Sequence, residues 1–313
     1  MDTQKHSGPP VGAVVVGIAA DGSEAALTFA ADEACRTHRP LHLVHVLRIS
    51  GAEAYAGVLQ GAFDAAEATV DEGVARAREL VEGQVPVTAE RVDEGWLVAD
   101  LVDRASRGSM LVLQHRRQSS LHRLVTGSIV AGAASRCAVP VVSVPEGWRP
   151  GGSEAVVTVG VQDADEAEPL IRRGLLEAQA RCARLEVLSA WHGGGGDDTG
   201  VDRQVRADNE IRITHALAPA LAAAGGEVPG VPVRLRIEHA VPVQALLAGG
   251  RSSQLLVIGR RHHLLPLGSH LGPTARAVLQ HSTAPVLLEP ESPRDVPVDV
   301  DDFAAAPRAV QPA

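Results

Sequence analysis

Residues 255–279, "LLVIGRRHHLLPLGSHLGPTARAVL", have the pattern of a buried strand, a loop and a helix. The strand is a short apolar run that ends in glycine, and the apolar residues after the loop keep helical spacing. Such a unit is typical of parallel α/β proteins, which bind ligands beyond the carboxyl ends of their strands. The loop is rich in Arg and His, and we expect the helix to begin at Gly268-Ser269, where free amides and the positive end of the helix dipole favour an anion.

The same unit occurs earlier in the chain, where the strand "SMLVLQ" leads through a basic loop to "TGSIVAGAASRC" and "AVPVVSVP". Three landmarks recur at offsets of 143, 141 and 145 residues: Gly17 with Gly160, Gly127-Ser128 with Gly268-Ser269, and Pro140 with Pro285. Offsets this similar across a whole domain indicate an internal duplication with small loop differences.

Each half has the order βαβαβαβαβ, because short apolar runs of β-branched residues alternate with segments of helical spacing. This pattern predicts the α/β class, with two domains that each have a five-stranded parallel sheet covered by helices on both faces. We place domain 1 at 11–146, domain 2 at 154–290, and a Pro- and Gly-containing linker at 147–153. The acidic, Pro-rich segment 291–313 has no apolar period and is predicted to be a disordered tail.

Composition argues against several classes of protein. The formal net charge of -9, with only three Phe, three Trp and one Tyr, disfavours a nucleic-acid partner. No run of about 18 apolar residues predicts a membrane span, and the polar N-terminus has no signal core. The three cysteines are odd in number and widely spaced, so we expect no disulfide framework, no metal site and a cytoplasmic location.

No catalytic constellation is evident in the sequence. A Walker A lysine loop, a Gly-x-Ser-x-Gly elbow and a His-Glu-x-x-His helix are all absent from it. We therefore predict a binding protein with no catalytic residues. A flavin- or ATP-dependent enzyme on the same fold is the remaining enzymatic alternative.

Four features in this order resemble tandem universal stress proteins: "VVVG" near the start, "PLHLVHV" after the first helix, a fourth strand leading to Gly-Ser, and "PVVSVP" or "PVLLEP". The resemblance covers both halves. It implies flavodoxin-like (adenine nucleotide α-hydrolase-like) domains that pair through their last strands, so that one chain forms a pseudo-dimer. It also implies a role in stress adaptation, with ATP as the ligand of those members that bind nucleotide, and it leaves open a homodimer of whole chains.

Nucleotide-binding members of that family are similar in carrying Gly-x-x-Gly, nine further residues and Gly-Ser/Thr after the fourth strand. In repeat 1 Gln114 and Arg117 stand at the positions of the two leading glycines. In repeat 2 Gly259 remains, His262 replaces the second glycine, and the loop is about four residues short. The family's Asp near the base falls at Ala19 and Gln162, with Asp21 or Asp163 as substitutes if the turn shifts.

The resemblance nevertheless implies a set of ligand contacts in each repeat. The implied phosphate contacts are Gly127, Ser128 and Ile129 in repeat 1, and Gly259, Gly268, Ser269 and His270 in repeat 2. The residues implied to present backbone near the base are Val46 and Ala190. Repeat 2 is the favoured site because it retains Gly259.

The basic loops, 115–123 and 260–270, have two interpretations. Their Arg and His side chains replace the backbone amides as phosphate ligands, or they are solvated and ion-paired with the other half. The sequence therefore leaves two main hypotheses, which are nucleotide binding at degenerate sites and a nucleotide-free dimerisation scaffold with both sites lost. It names no protein partner.

Overall fold

A computed structural model describes residues 8–47, 56–93, 95–115, 123–151, 155–164, 166–192, 203–260 and 271–290. Within these ranges strands and helices alternate throughout both repeats. The elements of repeat 1 are β1 (Val14–Gly17), α1 (Glu24–Thr37), β2 (Leu41–Val46), α2 (Ala56–Val81), β3 (Val87–Val92), α3 (Leu97–Ala105), β4 (Met110–His115), α4 (Arg123–Ala134) and β5 (Val141–Pro145). The elements of repeat 2 are β6 (Val156–Gly160), α5 (Ala167–Ala180), β7 (Arg184–Trp191), α6 (Arg203–Glu227), β8 (Val233–His239), α7 (Pro242–Gly250), β9 (Leu255–Gly259), α8 (Pro273–His281) and β10 (Val286–Glu289).

The ten strands of the described residues form one sheet in the order β3-β2-β1-β4-β5-β10-β9-β6-β7-β8. The strands within each repeat are parallel, and the two repeats join through β5 and β10, which pair antiparallel with Val142 opposite Leu287. The predicted α/β class, with two tandem five-stranded parallel sheets, is confirmed. The expected pairing through the last strands is also present, and it makes the two repeats a pseudo-symmetric pair within one chain.

Helices cover both faces of the sheet. One apolar layer packs beneath α1, α2, α5 and α6 and includes Leu41, Ile171 and Leu185. The other packs beneath α3, α4, α7 and α8 and includes Leu111 and Leu256. Both layers contain residues of both repeats, so the core is continuous across β5 and β10. This double burial explains why the strands are apolar runs rather than alternating sequences.

The helix that follows the fourth strand does not begin at Gly-Ser in either repeat, so the predicted start of these helices was wrong. In repeat 1 α4 begins at Arg123, four residues before Gly127, because residues 123–126 contain no proline or glycine that would stop it. In repeat 2 α8 begins at Pro273, after an N-cap at Gly272. Proline at the first helical position has a suitable φ and no amide to leave unpaired, which fixes this later start.

A buried ionic cluster joins α1 of repeat 1 to α5 of repeat 2. The guanidinium of Arg181 lies 2.8 Å from Oε2 of Glu33 and also contacts the carboxylate of Glu177. Arg36 lies 2.6 Å from Glu33 on the same helix, and Arg173 lies 3.5 Å from Glu177. The cluster places the charges of both repeats in one region of low solvent exposure, where each carboxylate depends on its cations.

The second repeat depends on a close approach of α5 to the sheet at Gly174. A β-carbon there would overlap Cγ2 of Val159 and lie 2.9 Å from Cδ1 of Leu185, both of which are fully buried. We expect Gly174→Ala to lower the free energy of unfolding by about 2 kcal/mol because the core cannot expand without strain.

Gly225→Ala in α6 is the matched control for this substitution. No atom lies within 4 Å of its added β-carbon, so alanine should raise stability by about 0.5 to 1 kcal/mol through helix propensity. Urea denaturation of both variants measures the difference. Equal effects at the two glycines would contradict close packing at Gly174.

In the part of the chain that the structure describes, no helix is long and apolar enough to cross a membrane. The predicted tail, 291–313, and part of the predicted linker, 152–153, lie outside the described residues. The domain bounds at 11–146 and 154–290 therefore remain predictions, although β5 ends at Pro145 and β6 begins at Val156.

Candidate functional site

Each repeat has a cleft where its strand order reverses, at the carboxyl ends of the strands. Cleft 1 has a volume of about 110 Å³ and lies between β1 and β4, bounded by Gly17, Val46, Leu101, Gln114 and Ile129 among others. Cleft 2 has a volume of about 90 Å³ and lies between β6 and β9, bounded by Gly160, Ala190, Leu246, Gly259 and Thr274 among others. Pseudo-symmetry thus gives two candidate sites of similar size.

Cleft 2 has walls of different chemistry. Its floor is apolar and includes Leu188, Leu246 and Ile258. Asp163 and Glu166 lie on the side of α5 and bring carboxylates to the rim. The opposite wall is the first turn of α8, whose amides and dipole favour a negatively charged group. Among the described residues no side chain caps this turn.

Glycines at the strand ends keep the clefts open and the neighbouring leucines in place. A β-carbon at Gly160 would lie 2.5 Å from Cδ2 of Leu246, and one at Gly17 would lie 2.7 Å from Cδ2 of Leu113. At Gly259 the nearest atom would be Cδ1 of Leu170, at 3.0 Å. Packing therefore explains the glycines that end β1 and β6, and the contact with Leu170 at Gly259 is less tight.

Cleft 1 differs because a side chain fills its polar wall. Gln114, at the position of the first motif glycine, directs its carboxamide to the start of α1. Its Oε1 accepts hydrogen bonds from the amides of Ala25 at 3.0 Å and Ala26 at 3.3 Å, and its Nε2 donates to the carbonyl of Gly22 at 3.4 Å. Two of the first-turn amides of α1 are therefore already paired within the protein.

The first residues of the two basic loops, His115 and Arg260, form hydrogen bonds within the protein. Arg260, directly after Gly259, donates from Nη1 to the carbonyls of Ala134 and Cys137, each at 3.2 Å, at the end of α4 in the other repeat. His115, directly after Gln114, is 5% exposed, and its Nδ1 lies 3.1 Å from Oγ of Ser143. Arg260 therefore joins the two repeats, His115 is bonded within repeat 1, and both side chains have partners inside the protein. Residues 116–122 and 261–270 lie outside the described residues.

The structure brings four of the implied contact residues to the clefts. Val46 and Ile129 border cleft 1, and Ala190 and Gly259 border cleft 2. The others in repeat 2, which are Gly268, Ser269 and His270, lie outside the described residues.

In repeat 1, Gly127 and Ser128 are the fifth and sixth residues of α4. Amides at such positions bond to the carbonyl four residues earlier, so they differ from the free first-turn amides that the sequence predicted. Among the described residues no group of three or more His, Cys, Asp or Glu is placed to hold a metal ion.

Sequence reasoning missed two features of the sites. The first is the start of α8, where Thr274 borders cleft 2; the dipeptide Gly272-Pro273 could have revealed it, since proline favours the first helical position. The second is the internal hydrogen bonding of Gln114, which has no local sequence signal because its partners lie 88 to 92 residues away.

Two parallel α/β repeats, joined through their last strands and each with a cleft at the reversal of strand order, define a tandem flavodoxin-like protein. The model of the universal stress protein family matches residues 11–145 and 156–290, and the chain belongs to this family.

Curated relatives match over most of the chain. A universal stress protein of Mycobacterium tuberculosis is 28% identical over 296 residues, which cover 89% of this chain and 97% of the relative. One from Mycolicibacterium smegmatis is 25% identical over 283 residues, covering 88% and 96% of the two chains. These relatives share the tandem length of this protein.

Solved structures support the same fold. A universal stress protein from Archaeoglobus fulgidus superposes with a TM-score of 0.62 at 16% identity, covering 89% of this chain and 97% of that one. A protein from Pseudomonas aeruginosa described as a putative universal stress protein gives 0.61 at 18% identity, covering 90% and 93%.

Proposed function

We propose that this protein acts in stress adaptation as a cytoplasmic binding protein, and that cleft 2 binds an adenine nucleotide such as ATP. The observation that carries the proposal is the convergence of Gly259 and the uncapped start of α8 on one cleft with an apolar floor. An apolar floor suits a base, and a helix start suits a phosphate.

The proposed arrangement assigns a role to each wall of cleft 2. The base lies against Leu246 and Ile258, near the backbone of Ala190, and the phosphates lie toward Thr274 and Gly259. Asp163 and Glu166 lie on the side of the ribose, where carboxylates accept hydrogen bonds from hydroxyl groups. Gly268, Ser269 and His270 remain further phosphate contacts that the resemblance implies. Binding rather than turnover is the function proposed, because no catalytic constellation is evident in the sequence.

The nucleotide-free scaffold is the second candidate function. It is favoured by Gln114, which pairs the first-turn amides of α1 and leaves cleft 1 without them. In that case the paired β5 and β10 and the continuous core serve protein association alone. A homodimer of whole chains would be an addition to this internal pairing.

Thr274→Glu should reduce the affinity for Mg-ATP at least tenfold, measured by isothermal titration of nucleotide-stripped protein. A carboxylate at the second position of α8 repels phosphate in cleft 2. The helix dipole stabilises a carboxylate at this position, so the fold should be retained. Thr274→Gln is the matched control, and we expect its affinity to stay within about threefold of the parent's since the side chain is neutral.

The same titration decides between the two candidate functions. Saturable binding that Thr274→Glu weakens and Thr274→Gln preserves supports nucleotide binding in cleft 2. The absence of heat, together with no nucleotide released from denatured protein, would contradict it and favour the scaffold.

A further inference from the structure

The side chain of Gln114, beside cleft 1, accepts hydrogen bonds from backbone amides at the start of α1. It projects from the end of β4, and its carboxamide spans the gap to the β1–α1 connection. It accepts from two successive amides, of Ala25 and Ala26, and returns a hydrogen bond to the carbonyl of Gly22. Gln114, Gly22 and Ser23 border cleft 1, and Ala25 and Ala26 follow Ser23 in the first turn of α1.

This arrangement replaces the usual local cap of α1. Ser23 occupies the N-cap position but does not cap the helix, because its Oγ accepts a hydrogen bond from the amide of Ala19 at 2.9 Å. The amides of Ala25 and Ala26 are at the second and third helical positions, which an N-cap side chain or a bound anion ordinarily satisfies. Gln114 performs this task from 89 residues away along the chain.

Among the described residues of repeat 2, the position that corresponds to Gln114 is occupied by Gly259. Gly259 ends β9 as Gln114 nearly ends β4, and it has no side-chain atoms to place in the cleft. The helix that faces it, α5, has Pro169 at its third position, which has no amide to donate. The two clefts therefore differ in the side chain at positions 114 and 259 and in the amides that the facing helix offers.

We propose that Gln114 is an internal ligand that blocks nucleotide binding in cleft 1 by occupying two amides at the start of α1, so that the chain binds one nucleotide, in cleft 2. This inference rests on the proposed function for the identity of the ligand. Nucleotide prefers cleft 2 because a ligand in cleft 1 competes with Gln114. It would have to replace the three hydrogen bonds that Gln114 already forms.

Exchanging the residues at positions 114 and 259 tests the proposal. Mg-ATP is titrated into nucleotide-stripped parent protein, Gln114→Gly, Gly259→Gln and Gln114→Glu. The last variant is the control, since it keeps an oxygen acceptor of equal reach at the start of α1. Gly259→Gln requires the end of the Leu170 side chain, 3.0 Å from the added β-carbon, to shift. If this variant does not fold, Thr274→Glu blocks phosphate binding in cleft 2 by a second route.

The expected stoichiometry is one per chain for the parent and for Gln114→Glu, two for Gln114→Gly and none for Gly259→Gln. Amide hydrogen exchange of Ala25 and Ala26 should be at least tenfold faster in Gln114→Gly than in the parent and unchanged in Gln114→Glu. That measurement confirms that the amides have lost their acceptor, and the stoichiometry reports a change that a purely structural cap would not produce.

The outcomes separate this inference from the proposed function. No binding by the parent and one equivalent by Gln114→Gly would support the blocking of cleft 1 by Gln114 while contradicting binding in cleft 2. Three results would overturn the role of Gln114. The parent binds two equivalents of Mg-ATP, the parent and Gln114→Gly bind one each, or neither protein binds. Binding by the parent that survives Gly259→Gln and Thr274→Glu would place the ligand elsewhere and overturn it as well.

Discussion

Replacing Arg181 by methionine is expected to lower the free energy of unfolding by about 3 kcal/mol. The side chain of Arg181 is only 7% exposed, and it contacts the carboxylates of Glu33 and Glu177, which are 3% and 5% exposed. Methionine fills the space without the charge, so two carboxylates of different repeats lose the cation between them. Removing one member of a buried ionic group is more costly than the net contribution of the group.

Two neighbouring arginines keep the expected loss at the lower end of the usual range of about 3 to 5 kcal/mol. Arg36 remains 2.6 Å from Glu33, and Arg173 remains 3.5 Å from Glu177. Arg206→Met is the matched control, because Arg206 is an exposed residue of α6 and its loss should change stability by about 0.5 kcal/mol or less. A loss at Arg181 no larger than at Arg206 would contradict the role of the cluster.

The loss at Arg181 should also depend on pH. Burial raises the pKa of Glu177 above its ordinary 4.5. The positive charge of Arg181 lowers the pKa, but by less than burial raises it. The folded state therefore holds this proton more tightly than the unfolded state, and stability falls as the pH rises above that ordinary value. Removing Arg181 raises the pKa further, so the difference between variant and parent should be smaller at pH 5 than at pH 7. Urea denaturation at both values measures it.

Leu287→Ala in β10 is the second large expected effect, a loss of about 3 kcal/mol. Leu287 is fully buried, and its strand pairs with β5 of the other repeat, where its partner is Val142. Truncation leaves a cavity in the layer that both repeats share. Leu176→Ala is the control, because Leu176 is 46% exposed on α5 and its truncation removes little buried surface.

The same variant tests whether the repeats unfold together. Trp148 packs edge-on against Phe29 at 5.5 Å in repeat 1, and Trp191 lies 4.3 Å from the ring of His239 in repeat 2. Measured by the fluorescence of Trp148 or of Trp191 alone, with Trp96 and the other tryptophan replaced by phenylalanine, Leu287→Ala should shift both transitions equally. A shift confined to Trp191 would mean that the continuous core does not make the two repeats one cooperative unit.

The architecture could be predicted from sequence because it depends on periodicity. Runs such as "VVVG" and "LLVIG" are apolar at every position since both faces of each strand are buried, and their recurrence revealed the duplication. The clefts could be placed for a similar reason: parallel strands end at one edge of a sheet, so residues at strand ends meet there. Val46 and Ala190 were located in this way.

The sequence by itself determined the class, the repeat and the edge of the sheet where ligands belong, because these follow from residue types at regular spacing. Only the tertiary structure decided how the two clefts differ. Gln114 binds amides 89 and 88 residues away, and Arg260 binds carbonyls 126 and 123 residues away in the other repeat. A long polar side chain at a strand end can point into the cleft, along the helix or across the junction, and the backbone groups that fix its direction are brought near only by folding.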